Sequence, residues 1–259
     1  MLGIGSGAGR SGKVRKIVKN GLQAWYKCDA TQAPLGEEEI TNGDFSLGVE
    51  EVTNGSFQDS GDVNTTSQSL GWYQIDVNGG GASISGGELI LNGGTHEDYS
   101  RAYITDGINA STLTAGKVYK LTYTVSSVTG STDLEYHNGQ GYNDATETVG
   151  THTIYYTQTV GDYFIFRNNG ADGSVVKLSN VSIQQTNPND SWTLGSNWSM
   201  QDGVLTSDNS ANAQASQDVL TLDKRYRITY TIASYTSGTM RCNAGTDNGT
   251  GRTAVGTYT

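Results

Sequence analysis

The sequence predicts an all-β protein, with tandem antiparallel β-sandwich modules preceded by an extended or partly helical N-terminal anchor. Three observations predict it. First, 35 of the 259 residues are Gly and 15 are Tyr, while charged residues make up 16%, well under the roughly 25% of an average globular chain. Together with abundant Thr, Ser and Asn, this favours strands and tight turns over helices. Second, Tyr119, Leu121, Tyr123 and Val125 alternate with Lys120, Thr122 and Thr124, the period of a strand with one apolar face. Third, the pattern around that strand occurs twice.

Taken in order, residues 1–40 form a basic arm. Val14, Ile17, Val18 and Leu22 can line one face of a short helix, with Gly21 near its end. Trp25 and Tyr26 add a strand-like patch, and Pro34, Gly36 and Glu37–Glu39 read as a linker. From there the chain alternates strand and turn. Ile40-Thr41-Asn42-Gly43-Asp44-Phe45 is echoed by Val52-Thr53-Asn54-Gly55-Ser56-Phe57. Gly71-Trp72, Glu88–Leu91, Ala102–Ile104 and Tyr119–Val125 follow, then strands at Leu134–Tyr136, Thr153–Thr157, Tyr163–Arg167 and Val175–Ile183. In the last of these the apolar phase slips between Leu178 and Val181, as a bulge requires.

The repeat fixes the organisation. Leu113, Thr114, Lys117, Tyr119, Thr122, Tyr123, Thr124 and Ser127 recur as Leu220, Thr221, Lys224, Tyr226, Thr229, Tyr230, Thr231 and Ser234. Val149-Gly150-Thr151-His152-Thr153 recurs as Val255-Gly256-Thr257-Tyr258-Thr259, Gly87-Glu88-Leu89 as Gly203-Val204-Leu205, and Trp72 as Trp192 or Trp198. Residues 1–40 are thus an arm, 41–186 a complete module, and 187–259 a second module without counterparts of residues 154–183. The expectation is a longer protein, or a neighbouring chain that supplies the missing strands.

Charge divides the chain in two. Net charge is -10, but residues 1–28 hold Arg10, Lys13, Arg15, Lys16, Lys19 and Lys27 with no acid. These six leave ten basic residues against 26 acidic ones elsewhere. An acidic body repels nucleic acid and anionic membranes, so neither is an expected partner. The arm reads either as a solvated tail or as a peg seated on an acidic protein surface. The second reading assigns anchoring to Arg10, Lys13, Arg15, Lys16, Ile17, Val18, Lys19 and Trp25. The opening MLGIGSGAGRSGK has no apolar run of an export signal. Two Cys, Cys28 and Cys242, make neither a disulfide scaffold nor a metal spacing.

At TNGxF, GW, GxL, YKLTYTV and VVKLSNVSI the chain resembles the jelly-roll carbohydrate-binding modules attached to xylanases and cellulases. The resemblance covers residues 52–185 and part of 190–259. It implies two antiparallel sheets, one often forming a concave sugar-binding face. The family's structural calcium is held by a Glu after the Phe, where this chain has Ser46 and Gln58, and by an Asp where it has Ser179. The calcium ligands of the family are therefore missing at those positions, and no cofactor is expected. Similar modules occur in bacteriophage fibre and virion proteins, whose openings the arm resembles in style.

Candidate chemistry is sparse. Gly7-Ala8-Gly9-Arg10-Ser11-Gly12-Lys13 matches phosphate-loop patterns, but no strand precedes it and Val14 stands where magnesium needs Ser or Thr. His96-Glu97-Asp98, and Asp133, Glu135 and His137 on one strand face, read as solvated side chains. No catalytic motif is present, so an enzyme is not expected. Sugar binding needs aromatic faces beside hydrogen-bonding groups. Tyr99, Tyr103, Tyr136, Tyr142 and Tyr155, with Asn138, Gln140 and Asn143, supply both. Asn243-Ala244 replaces Tyr136-His137 in the second copy, so the two modules should not share a ligand. Asn54, Asn64 and Asn180 begin Asn-x-Ser/Thr triplets, which imply no glycan without a secretory route.

The functional expectation is a non-enzymatic virion protein assembled in the host cytoplasm, in a fibre, in a tail or on a capsid. Its arm engages other virion proteins, its modules project outward to touch host glycans, and it self-associates, a trimer being expected of phage fibres. The alternatives are the binding region of a secreted glycoside hydrolase, and a spacer that binds nothing.

Overall fold

In a computed structural model of the chain, residues 36–58, 61–62, 71–74, 81–94, 100–104, 113–208 and 213–259 are described, with 61–62, 73–74 and 100–104 as backbone alone. Backbone contacts separate Met1–Glu39 from Ile40–Thr259. The residues to which the sequence reading assigns anchoring, Arg10, Lys13, Arg15, Lys16, Ile17, Val18, Lys19 and Trp25, lie outside the described residues, as does Tyr99. No helix among the described residues is long and apolar enough to cross a membrane.

Among the described residues the first copy has eleven strands: β1 (Gly61–Asp62), β2 (Tyr73–Gln74), β3 (Ala82–Ser85), β4 (Glu88–Asn92), β5 (Ser100–Ile104), β6 (Val118–Thr129), β7 (Leu134–His137), β8 (Tyr142–Asp144), β9 (Gly150–Thr157), β10 (Phe164–Asn168) and β11 (Val175–Gln185). They make a six-stranded sheet, β1-β3-β4-β11-β6-β9, and a five-stranded sheet, β2-β5-β10-β7-β8. Both are antiparallel throughout, and the chain crosses repeatedly between them in the manner of a jelly roll. The fold class expected from composition and alternation is the one observed.

Alternation builds the core. Along β6, Tyr119, Leu121, Tyr123 and Val125 are buried and the residues between them are not. They meet Leu134, Phe164 and Phe166 from the opposite sheet, with the Tyr123 and Phe166 rings edge to face at 5.3 Å. Phe57 and Trp72 close one end, 5.6 Å apart. The core tolerates Asn168, one of four buried polar residues among those described with Gln158, Ser174 and Thr186, because its amide is satisfied. Its Nδ2 donates to Leu91 O and Ser174 Oγ, and its Oδ1 accepts from Asp133 N and Gly170 N.

The phase slip in β11 is a register shift between Ser179 and Ser182. Asn180 takes a left-handed φ of 52° there. The shift turns Val181 N toward Gly55 O, 2.8 Å away, so the bulge seats on the Thr53–Phe57 turn. That segment and its echo at 41–44 are turns.

The second copy repeats the framework in shorter pieces: β12 (Thr193–Leu194), β13 (Trp198–Gln201), β14 (Val204–Ser207), β15 (Ala215–Ser216), β16 (Tyr230–Ile232), β17 (Asn243–Ala244), β18 (Asp247–Asn248) and β19 (Gly256–Tyr258). They pair two by two, as β12-β15, β13-β14, β16-β19 and β17-β18. Correspondence extends to single bonds. Tyr123↔His152 and Thr124↔Thr151 become Tyr230↔Tyr258 and Thr231↔Thr257. The hydroxyls of each Thr pair lie 2.9 Å apart. Tyr119 OH accepts from Thr114 N as Tyr226 OH accepts from Thr221 N.

One correspondence crosses the first copy entirely. Phe45 lies 5.5 Å from Trp192, with the tilt that Phe57 has against Trp72. Trp192 Nε1 donates to Asn42 O, and Gln217 binds both the N–H and the carbonyl of Thr41. The contacts of residues 41–45 thus run to residues 192 and 217, beyond the boundary expected at 186. Of the two Trp matches open in the sequence, the ring contact selects Trp192.

Candidate functional site

Strand parity divides the predicted site residues. On β7, Leu134 and Tyr136 turn inward and Glu135 and His137 outward. On β10, Phe164 and Phe166 are core, leaving Ile165 and Arg167 on the outer side. The register then aligns a row across all five strands of the smaller sheet: Tyr73, Tyr103, Ile165, His137 and Tyr142. The next row aligns Arg101, Arg167, Glu135 and Asp144. Ile165 is 2% exposed although it lies outside the core cluster, so the outer face is itself packed.

Rings and charges interlock on this face. The His137 ring meets Tyr142 edge to face at 4.7 Å and stacks on Tyr163 at 5.4 Å. Its Nδ1 accepts from Gly139 N at 3.0 Å, which holds the ring. Arg167 lays its guanidinium 3.4 Å from the centre of the Tyr142 ring and donates through Nε to Glu135. Both partners of that ion pair are nearly enclosed, with side-chain exposures of 14% and 12%. The turn supporting the row is built by Asn138. Its Oδ1 accepts from Gln140 N and Gly141 N, and its carbonyl accepts from Thr159. Gly139 takes φ 96° there, and a Cβ on it would overlap the Val160 carbonyl.

Of the predicted sugar-binding residues, Tyr142 lies on this face, and Tyr103 holds the register position two strands from His137. Gln140 is exposed at the supporting turn, and Asn138 is a structural part of that turn. Two expectations are corrected. Tyr136 is a core residue, its ring 5.6 Å from Tyr156 and stacked on Phe164, because its parity is that of Leu134. Burial raises its phenol above the ordinary value.

Tyr155 sits on β9, in the other sheet, opposite Lys120. Its hydroxyl donates to Asp202 Oδ1 at 2.7 Å, and Lys120 Nζ reaches the same oxygen at 2.6 Å. Asp202 lies in the turn between β13 and β14, so Tyr155 serves the contact between the two copies. Hydrogen bonds from Lys120 and then Tyr155 lower the Asp202 carboxyl, and the bond to Asp202 raises the Lys120 ammonium.

Tyr163 and Arg167 were not singled out in the sequence, and Glu135 and His137, read there as solvated side chains, are engaged with Arg167, Tyr142 and Tyr163. The signal was present: once Phe164 and Phe166 are core, parity sends residues 165 and 167 outward.

A calcium of the family type does not fit the residues present. Gln58 Nε2 donates to Ser56 O, and Ser46 Oγ donates to Asn42 and Asp44. The neighbouring carboxylate, Glu50, accepts from Val52 N, Ile183 N and Ser182 Oγ. It therefore serves as a clip on β11.

No family model matches the chain, and no curated protein matches it. Among solved structures it is similar to a family 4 carbohydrate-binding module, at 11% identity and a TM-score of 0.36, over 52% of this chain and 99% of that one. It is also similar to a family 29 carbohydrate-binding module from Piromyces equi, at 14% identity and a TM-score of 0.31, over 54% and 89%. A third is the enzymatically active domain of bacteriophage CBA120 tailspike protein 4, at 14% identity and a TM-score of 0.34; the match spans 53% of this chain and 21% of that one.

Proposed function

We propose that the chain is a non-catalytic glycan-binding protein whose first copy takes saccharide on the outer face of the five-stranded sheet. The observation that carries this reading is the aligned row Tyr73, Tyr103, Ile165, His137, Tyr142. The half-buried rings of His137 and Tyr142 in that row offer an aromatic surface for the carbon face of a pyranose. The adjacent row of Arg167, Glu135 and Asp144 supplies donors and acceptors for ring hydroxyls. No step of bond making or breaking is assigned to these residues.

The protein's place, in this reading, is a bacteriophage particle. The basic arm anchors it to other virion proteins and self-association multiplies the sites, so that weak glycan contacts become useful together. What supports this is the charge division between the arm and the acidic remainder.

The experiment is a glycan array with the full chain displayed multivalently, beside the variants His137→Ala and Tyr142→Ala. Retention by the parent and loss of at least tenfold in both variants supports the reading. Absence of retention, or retention that both variants preserve, overturns it. Gold labelling of isolated particles against chain secreted free into the medium tests the location. Finding the chain in a secreted hydrolase instead would keep the glycan face and discard the virion.

A further inference from the structure

The saccharide face proposed above stands on a turn that a single imidazole holds in place. Gly139 is gripped on both sides. Its N–H donates to His137 Nδ1 at 3.0 Å, and its carbonyl accepts from Tyr163 OH at 3.2 Å. The two rings that make these bonds stack on each other at 5.4 Å. The three residues form a closed circuit of contacts around a glycine whose φ of 96° is left-handed.

A main-chain N–H can only donate, so Nδ1 of His137 carries no proton in this arrangement. Imidazole is also the side chain that ordinarily takes up a proton between pH 8 and pH 5. The imidazolium carries a hydrogen on each nitrogen, which sets N–H against N–H across the 3.0 Å contact. The peptide unit cannot turn away to relieve this. Its carbonyl, Asn138 O, accepts from Thr159 N at 2.8 Å and from Thr159 Oγ1 at 3.0 Å. Asn138 Oδ1 ties Gln140 N and Gly141 N, and Gly139 itself packs against the Val160 carbonyl. The imidazole is the part that gives way, and in moving it leaves Gly139, Tyr163 and Tyr142 together.

The charged and titratable neighbours do not replace the lost bond. Glu135 on β7 is paired with Arg167 of β10, and Arg167 already lies over the Tyr142 ring that His137 meets edge to face. An imidazolium adds a second cation to that ring. Asp144 on β8 aligns with Glu135, one row away from His137. Tyr103 and Arg101 on β5 hold the register positions beyond Ile165 and Arg167, and Asp162 precedes Tyr163 in the chain.

We propose that the outer face of the five-stranded sheet is a proton-gated site. It holds saccharide at neutral pH; in acid His137 lets go of Gly139, the Asn138–Gly141 turn loosens and the saccharide is released. Only the last step rests on the glycan reading.

The test follows the isotopically labelled full chain by nuclear magnetic resonance from pH 8 to pH 5, first without saccharide. The His137 ring should titrate in that range. The Gly139 amide should follow it and lose about tenfold in protection from exchange, after correction for the intrinsic rate, as loss of one hydrogen bond implies. His137→Asn sets an amide oxygen near the place of Nδ1 and takes up no proton, so its Gly139 amide should stay protected throughout. Retention of the parent on a printed array of neutral and acidic oligosaccharides should fall about tenfold over the same range while circular dichroism stays constant. A ring that does not titrate above pH 5, a Gly139 amide indifferent to the titration, an equal acid loss in His137→Asn, or retention unchanged by pH overturns the proposal. A responsive Gly139 with no retention at any pH supports the gate and discards the glycan reading alone.

Discussion

Tyr136 and His137 are neighbours in the chain and belong to opposite sides of the same sheet. The Tyr136 ring packs 5.6 Å from Tyr156 inside the core, and the His137 ring packs 4.7 Å from Tyr142 outside it. Their substitutions should therefore separate stability from binding. Tyr136→Ala should cost about 3 kcal/mol, as truncation of a buried aromatic does. His137→Ala should leave the melting temperature within a few degrees and remove glycan retention. Thermal denaturation and affinity electrophoresis of both variants check this, and the reverse pattern would discard the parity assignment.

Asn168 ties four partners from three segments at full burial. Asn168→Leu keeps the volume and strands the Leu91 carbonyl and the N–H groups of Asp133 and Gly170. The expected loss is at least about 2 kcal/mol, since each orphaned buried group costs about 1–3 kcal/mol. Urea denaturation measures it, and an unchanged midpoint would mean that water replaces the amide.

Alkaline stability should follow the buried phenols. Burial pushes Tyr123 up to about 12, partly opposed by its hydrogen bond to Thr146 O, and burial raises Tyr156 well above the ordinary value of 10.0. Folded-state values raised in this way favour the neutral phenol. Their stabilisation is full below pH 10 and falls as pH climbs from there toward about 12. Phenolate absorbance should therefore appear together with loss of circular dichroism in that interval. Tyr123→Phe should lose about 1 kcal/mol at neutral pH and hold its fold to higher pH than the parent.

The contact of Asp202 with Lys120 and Tyr155 has a pH window of its own. The Asp202 carboxyl is lowered from 3.8, so its contribution is full above that value and fades as pH falls below it. The Lys120 ammonium is raised from 10.5, so its contribution is full below that value and fades as pH rises above it. Asp202→Asn at neutral pH should speed hydrogen exchange of residues 198–207 and leave β6 and β9 protected. Exchange unchanged by the substitution would show that other contacts hold the turn.

Much of the fold was legible because period and residue type agreed. The Tyr119–Val125 alternation, the strands near residues 134, 164 and 175, and the slip before Val181 all lie where the sequence placed them. The site was legible only in part. Aromatic and amide residues were chosen by type, and type does not distinguish Tyr136 from Tyr142; parity does, once the partner strand is known. Tyr155 was lost for another reason. Its place on the larger sheet and its bond to Asp202 depend on a contact 47 residues away. The likeness of Thr41–Phe45 to Thr53–Phe57 was visible, but only the Phe45–Trp192 contact reveals which copy each turn accompanies.

Gly48 N donates to Gln185 O at 2.8 Å, and Glu51 N donates to Ile183 O close by. The polypeptide therefore enters and leaves the first copy at a single doorway. A unit joined in that way can be excised, duplicated or replaced by a relative with one pair of breakpoints, and the path of the surrounding chain hardly changes. The flanking copy, whose two halves meet across that doorway, has to keep its shape.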